Sequence, residues 1–523
     1  MIQVRAIFIG LGLLVSLTAF GQYTKQEVEV GFGPMFSVAK RSVPTQFVGA
    51  DGSGFYVVYS RGKLGDGRRY LHKFGYDLEP KQSIKLSSKI GSVNTRSQRV
   101  IMLDGKLYQI AQATSGNQRS FYVQAISPDD LSTIKTEFIG NIRSQGRDVS
   151  RSRTFISISR DSAYVTLAYT IPNQAKDNES FVVNVFDKQM NQLRTEQYSF
   201  PYENRLLDLQ EFRVDEQGNV YALGKRNFNS QRDRVGGLAN YEYILFNLGN
   251  EGEVTETRMD GQGRFLTDMK VQITPDGDIV SAGFYSDFNT NGAGGAYYLR
   301  MDGETKAVIS SSFKAFDIDF MVQNMTERKA ERVQRRLREG RQRNELPHYD
   351  IDELIAMPDG SVRMIGEQRL EFTTSYGAGD SFIIQTHYHY DDMVVVSISP
   401  NGEIDWAQRI AKRQRTVDDR AAFSSYALMV RDNDLSLYFN DNANNLDYNG
   451  VGRIALMAKN ANTVVMSAQV GQFGDVKRSG LFRRGEANIR IRPVFAHQLD
   501  EDEMLIFGHR ELRNQRFVLL KYK

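Results

Sequence analysis

Phe212–Gly224 read FRVDEQGNVYALG. Apolar and polar residues alternate on both sides of Asp215-Glu216-Gln217-Gly218-Asn219. Successive side chains of a β-strand point to opposite faces, so a period of two marks a half-buried strand on each side of a polar turn. Gly218 supplies the positive φ of a tight hairpin turn. Gly224, at the end of the second strand, permits close backbone approach.

The same unit recurs along the chain. Val48–Ser60 turns at Asp51-Gly52, Val100–Ala111 at Asp104-Gly105, and Phe155–Thr170 at Arg160-Asp161-Ser162. Val271–Gly283 reads VQITPDGDIVSAG and Leu354–Gly366 reads LIAMPDGSVRMIG. Leu428–Asn440 turns at Asp432-Asn433-Asp434, and Val494–Gly508 through Asp500–Glu503. The first five begin roughly 50–60 residues apart, a spacing typical of repeat architectures. Each is followed by a second hairpin whose first strand is more uniformly apolar: Tyr70–Tyr76, Phe121–Ile126, Phe181–Phe186, Tyr243–Leu248, Tyr297–Met301, Val394–Ile398 and Ile454–Ala458. Uniform apolarity predicts burial on both faces, and the polar strand after it predicts a sheet edge.

Each repeat therefore supplies four strands, and eight repeats can be counted. The eighth stops after its third strand, Phe517–Lys523. The missing outer strand is assigned to Gln26–Phe32 (QEVEVGF), so that the two chain ends pair and close a ring. Radial blades of this kind solve the edge-strand problem. The expected fold is all-β: a β-propeller of about eight four-stranded blades. Six or seven blades and a pair of sandwiches are the alternatives, but sandwiches would not produce so regular a four-strand unit.

The pattern resembles secreted propellers of the NHL and bacterial β-propeller-repeat type, whose units carry a similar D-x-x-G-N-x-Y-x-x-G hairpin. Asp215–Gly224 matches it well and Asp276–Gly283 loosely. A leader ending in Phe-Gly-Gln, with strands rich in Tyr, Asn and Phe, looks like exported proteins of the Bacteroidota. The resemblance implies a fold and a compartment, not an activity. Asp161-Ser162-Ala163 is similar to the O-glycosylation acceptor motif of that group and is expected on an exposed hairpin turn.

Composition narrows the chemistry. The 523 residues are 41% hydrophobic and 25% charged, with net charge +3 and no cysteine. Near-neutrality gives no global attraction to nucleic acid or an anionic membrane. The absence of cysteine removes disulfides, thiolate catalysis, cysteine-held metals and a lipoprotein anchor. Arg5, the apolar run Ala6–Ala19 and the small residues Ala19 and Gly21 read as a cleaved signal over residues 1–21. The apolar run is short for a membrane span of ~20 residues. A mature propeller domain over 22–523, exported to the periplasm or envelope, is the expectation.

Two insertions break the period, at 316–347 and 370–392. In the first, a helix from Phe316 to Arg343 is predicted, with Met321, Met325, Val333 and Leu337 on one stripe. Eight basic residues against three acidic ones crowd Met321–Arg343. Arg328, Arg332, Arg335 and Arg336 are candidate contacts for an acidic partner, an envelope protein or polysaccharide. The alternative is a solvated helix packed by its apolar stripe on a blade, with Glu–Arg pairs along its exposed face. In the second insertion, Leu370–Tyr376 and Phe382–Tyr390 flank Gly377-Ala378-Gly379-Asp380 and predict a β-ribbon protruding beyond its blade. Its alternation places His387, His389 and Asp391 on one face, a candidate metal set, and the candidate partner residues Tyr388 and Tyr390 on the other.

No HExxH, catalytic-triad context, G-x-S-x-G elbow, P-loop or EF-hand is present. Asn440–Asn449 (NDNANNLDYN) is rich in oxygen donors but lacks calcium-loop spacing. Trp406 reads as packing. No cofactor is required. The function expected is a non-enzymatic interaction scaffold; a propeller lyase or hydrolase acting on polysaccharide or peptide, and a metal- or calcium-dependent binding module, are the alternatives.

Overall fold

The computed structural model describes residues 28–523 except 63–67, 88, 144–148, 150–151, 173, 175, 289–291, 379–380, 459–461 and 512. The leader and residues 26–27 of the closing strand lie outside them.

The turn chemistry explains the repeat. In 212–224, the Asp215 carboxylate accepts hydrogen bonds from the backbone N–H of Gln217 (2.9 Å) and Asn219 (2.8 Å), from the Asn219 amide and from the Tyr221 hydroxyl. Gly218 has φ 84°. One aspartate thus satisfies the donors that the reversal strips from the ladder. Asp187 does the same for Gln189 and Asn191 in the next kind of turn, with Met190 in the left-handed position.

These hairpins assemble, among the described residues, into eight antiparallel sheets built on four strands each. Blade 1 is Ser42–Asp51, Gly54–Arg61, Arg68–Phe74 and Pro80–Lys85. Blades 2 to 7 begin at Val93–Leu103, Thr154–Ile158, Leu207–Val214, Phe265–Ile273, Tyr349–Ala356 and Ala427–Arg431. Blade 8 is Arg490–Gln498, Glu503–Glu511 and Asn514–Tyr522, completed by Val28–Phe32, with Val28 opposite Tyr522 and Phe32 opposite Val518. The ring closes by pairing the chain ends, as the sequence reading required.

Packing gives the same count. Eight apolar clusters each join neighbouring blades, and the one containing Phe55, Phe74, Phe507 and Phe517 joins blade 8 to blade 1. The second strand of a blade feeds two clusters. Phe55, Val57 and Tyr59 face blade 8, and Tyr56 and Val58 face blade 2. Second strands such as Gly54–Arg61 and Ile279–Ser286 are accordingly more buried than their alternation implied.

The first strands neighbour one another around the central axis. Among the described residues their axis-facing edges lack a sheet partner, apart from the short Lys89–Ile90 pairing with Val93–Asn94 in blade 2, and side chains of adjacent first strands fill the gap. The Gln46 amide bonds both N–H and C=O of Val100, and Gln498 does so for Val430. Gln272 donates to the Leu354 carbonyl and Arg99 to that of Ile156. Buried edges demand such partners.

One strand differs from expectation. Ile454–Ala458 is not the third strand of blade 7; Thr463–Val470 is. Met457 instead makes a bridge to Gln414, with Asn442 and Asn445 side chains holding the carbonyls of Leu456 and Ala455. Both segments are apolar, and Thr463–Val470 has the length and β-branched content to span the blade.

Candidate functional site

In an up-and-down blade, second-to-third and inter-blade connections emerge at one end. Both insertions use such connections: one links blades 5 and 6, the other joins the second and third strands of blade 6. They therefore share one face of the ring.

The predicted helix over 316–343 is broken in two, α1 (Ile318–Val322) and α2 (Glu327–Arg338). Asp317 caps α1 by accepting from the Phe320 N–H at 2.7 Å. Phe316, Phe320 and Met321 join the core between blades 5 and 6, with Leu337 packed against it. The break has a physical cause. Gln323 and Asn324 leave the helix to satisfy the bare outer edge of blade 6. Gln323 Oε1 accepts from the Arg409 N–H at 2.9 Å, and Asn324 Nδ2 donates to the Arg409 carbonyl at 3.0 Å. Asn324 takes φ 62°, which asparagine tolerates. The apolar stripe survives, since Val333 is buried. Arg328, Arg332, Arg335 and Arg336 are exposed, and among the described residues the ion pair formed within this segment is Arg341–Glu339. Among the described residues the Glu–Arg pairs of the alternative reading are not formed along α2, although its apolar stripe packs on the blade as that reading has it.

The ribbon is present. Val362–Ala378 pairs with Ser381–Ile398 from Val362↔Ile398 to Ala378↔Ser381, well past the pairing with Tyr349–Ala356. Alternation holds in its arms. His387 stacks on Phe372 at 4.8 Å, His389 meets the same ring edge-on at 5.2 Å, and Tyr390 on the other face donates to Glu371 at 2.8 Å. A bulge at Asp391-Asp392, two residues opposite the single Gln368, sets Glu367 opposite Met393 and Arg369 opposite Tyr390. It draws Asp391 and Asp392 into ion pairs, with Arg415 at 3.8 Å and Arg409 at 2.8 Å.

The metal reading of His387, His389 and Asp391 is not supported. Among the described residues no three His, Asp or Glu are placed to hold a metal ion. His387 Nε2 is engaged with Thr374 Oγ1 at 2.8 Å. Burial, then the charge of Arg415, holds His389 below the usual histidine range. Asn440–Asn449 likewise spends its amides on structure: Asn440 Nδ2 donates to the carbonyls of Phe423 and Ile491. Trp406 is packing, its indole N–H on the Gln472 carbonyl and its ring against Arg363. Ser162 sits half-buried in its turn at φ 60°.

Sequence reasoning missed the ribbon's root. Glu367 and Lys412 are wholly buried and 2.6 Å apart. Glu367 also accepts from Arg369 Nε (2.9 Å) and Ser425 Oγ (2.8 Å). Lys412 Nζ donates to the Tyr390 carbonyl (3.1 Å) and to Gln414 Oε1 (2.9 Å). Arg369 reaches Asp352 at 2.6 Å. Burial pushes the Asp352 carboxyl up to about 7 against the pull of Arg369, and burial drives the neighbouring Tyr426 hydroxyl well above its ordinary range. Asp268, Asp350 and Glu353, on first strands of blades 5 and 6, are also raised, chiefly by burial. Buried charge is costly unless paired and hydrogen-bonded, and the alternatives such a network excludes are its best-attested use. Here it fixes the ribbon to blade 6 and to the connection into blade 7. No motif marks it, because Glu367, Lys412 and Asp352 come from three separate segments.

No family model matches the chain, and no curated protein does. Among solved structures it is similar to the Dos1 propeller, at 9% identity over 93% of this chain and 94% of that one, TM-score 0.42. It is also similar to an oligogalacturonate lyase in complex with manganese (11% identity, 92% and 97% coverage, TM-score 0.34). A polysaccharide lyase of the ulvan lyase family PL25 gives 9% identity, 87% and 94% coverage and TM-score 0.36.

Proposed function

We propose that the protein is an exported, non-enzymatic interaction scaffold of the cell envelope, with α2 and the ribbon as its partner-facing elements. The observation that carries this reading is the exposed arginine row of α2, seated on the same face as the ribbon and without internal carboxylate partners among the described residues. The helix is anchored through α1 and the Gln323–Asn324 elbow, so its charges are held in place. An acidic protein surface is the complement of such a row. Export rests on the leader over residues 1–21.

The test is charge reversal. Arg332→Glu, Arg335→Glu and Arg336→Glu together should abolish recovery of an acidic partner from envelope fractions and leave thermal unfolding unchanged. Undiminished recovery by the triple variant would refute the role of α2.

A second reading, a lyase or hydrolase acting on polysaccharide or peptide, is favoured by Asp352. A carboxyl that ionises near 7 beside Arg369 and Tyr426 is equipped to exchange protons at neutral pH. Turnover of a polysaccharide by the wild type that Asp352→Asn eliminates would establish this reading in place of the first.

A further inference from the structure

The free edge of the ribbon is self-complementary. Pairing with Tyr349–Ala356 ends at Gln368. Beyond it, residues 370–378 bond only to the second arm among the described residues, leaving one row of backbone amides and carbonyls open. Proteins block such edges with lysine, proline, a bulge or a covering element. Residues 370–378 hold no Lys, Arg or Pro, and their ladder runs without a register shift. Both faces are open as well: Phe372 and Tyr376 are 37% and 56% exposed, and Ile383 and Ile384 opposite are 66% and 68% exposed. At its root Gln414–Val417 already pairs with His387–Tyr390 of the second arm. From Thr386 to the tip, however, the ribbon has only its own two strands among the described residues. Such a pair, bare on both faces, is marginal in water, and a third strand stabilises it.

The edge's own sequence names the occupant. Thr374 is the midpoint of 370–378. Two copies paired antiparallel about a two-fold axis through Thr374 set Thr374 against Thr374. Phe372 of each copy meets Tyr376 of the other, and Thr373 meets Ser375. Aromatic pairs and paired hydroxyl residues are favourable cross-strand neighbours. Glu371, the charged residue of this stretch, faces Gly377, and the two Glu371 carboxylates lie at opposite ends, so no like charges meet. Moving the axis to Thr373 would oppose Phe372 to Thr374 and split the aromatic pairs.

We propose that the ribbon is a homodimerisation element in which two copies join edge to edge through residues 370–378. The proposal rests on the reading of the ribbon as a contact element and leaves α2 free for the acidic partner. Such isologous contacts close after two copies.

Sedimentation equilibrium of the purified full chain tests it. The wild type should have dimer mass. Thr374→Lys and Thr374→Glu should each be monomeric with unchanged circular dichroism, and an equimolar mixture of the two should regain dimer mass. Because the chain has no cysteine, Thr374→Cys should form a covalent dimer on mild oxidation while Glu371→Cys does not. A dimer that survives Thr374→Lys, or a Glu371→Cys that cross-links as readily, overturns the proposal. A monomeric wild type whose partner is still lost on helix charge reversal overturns the self-pairing and leaves the proposed function standing.

Discussion

Removing the Lys412 ammonium tests whether the ribbon's root is electrostatically coupled. Lys412→Met keeps the volume and the apolar stem but leaves Glu367, wholly buried, without the cation 2.6 Å from its carboxylate. Breaking one side of a buried pair typically costs about 3–5 kcal/mol. Arg369 and Ser425 still hold Glu367 Oε2, which places the expected loss at the lower end, about 3 kcal/mol. That is about a hundredfold in the folding equilibrium. Urea unfolding at neutral pH reads it as a lowered midpoint at constant slope. The decisive comparison is Glu367→Gln combined with Lys412→Met. It removes both charges, and the penalty should largely vanish, since the cost is that of an unpaired charge and not of a lost attraction. A single variant losing less than about 1 kcal/mol, the range of exposed pairs, would refute the coupling, as would a double variant as unstable as the single.

Three further outcomes follow from the same physics. Val28→Asp places a carboxylate in the core between blades 7 and 8 and should cost at least about 2 kcal/mol; an unchanged melting temperature would argue against closure by the N-terminal strand. Burial raises Asp352 from 3.8 to about 7, so the folded state holds its proton while the unfolded state has released it. Its contribution is therefore full below pH ~4 and lost as pH rises to ~7. Asp352→Asn should flatten melting temperature against pH in that window, and identical profiles would refute the assignment; Glu179, also raised to about 7 by burial, adds a slope of the same sign that the variant keeps. Gly54→Ala would put a Cβ 1.9 Å from the Phe74 carbonyl at φ 148°, whereas Gly52→Ala meets nothing within 4 Å. The first should destabilise by about 1–3 kcal/mol and the second scarcely at all, read from paired unfolding curves.

Much of this protein is legible in the chain because its signals are local. Alternation, Asp-anchored turns and hairpin glycines all lie within a dozen residues, and eight copies make the ring. The pairing of residues 28–32 with the C-terminal strand followed from counting, since one strand was missing and one was spare. The ribbon and the buried stripe of α2 were readable from periodicity for the same reason. The tertiary structure decided what depends on distant partners. It broke the helix at Gln323–Asn324, because the bare edge at Arg409 needed partners. It made Thr463–Val470 the third strand of blade 7 in place of Ile454–Ala458, two apolar segments that sequence alone does not rank. It also brought Glu367, Lys412, Asp352 and Tyr426 into one buried network. Glu367, Lys412 and Asp352 look like surface residues in sequence, and only the packing of blade 6 against the connection into blade 7 takes them from water.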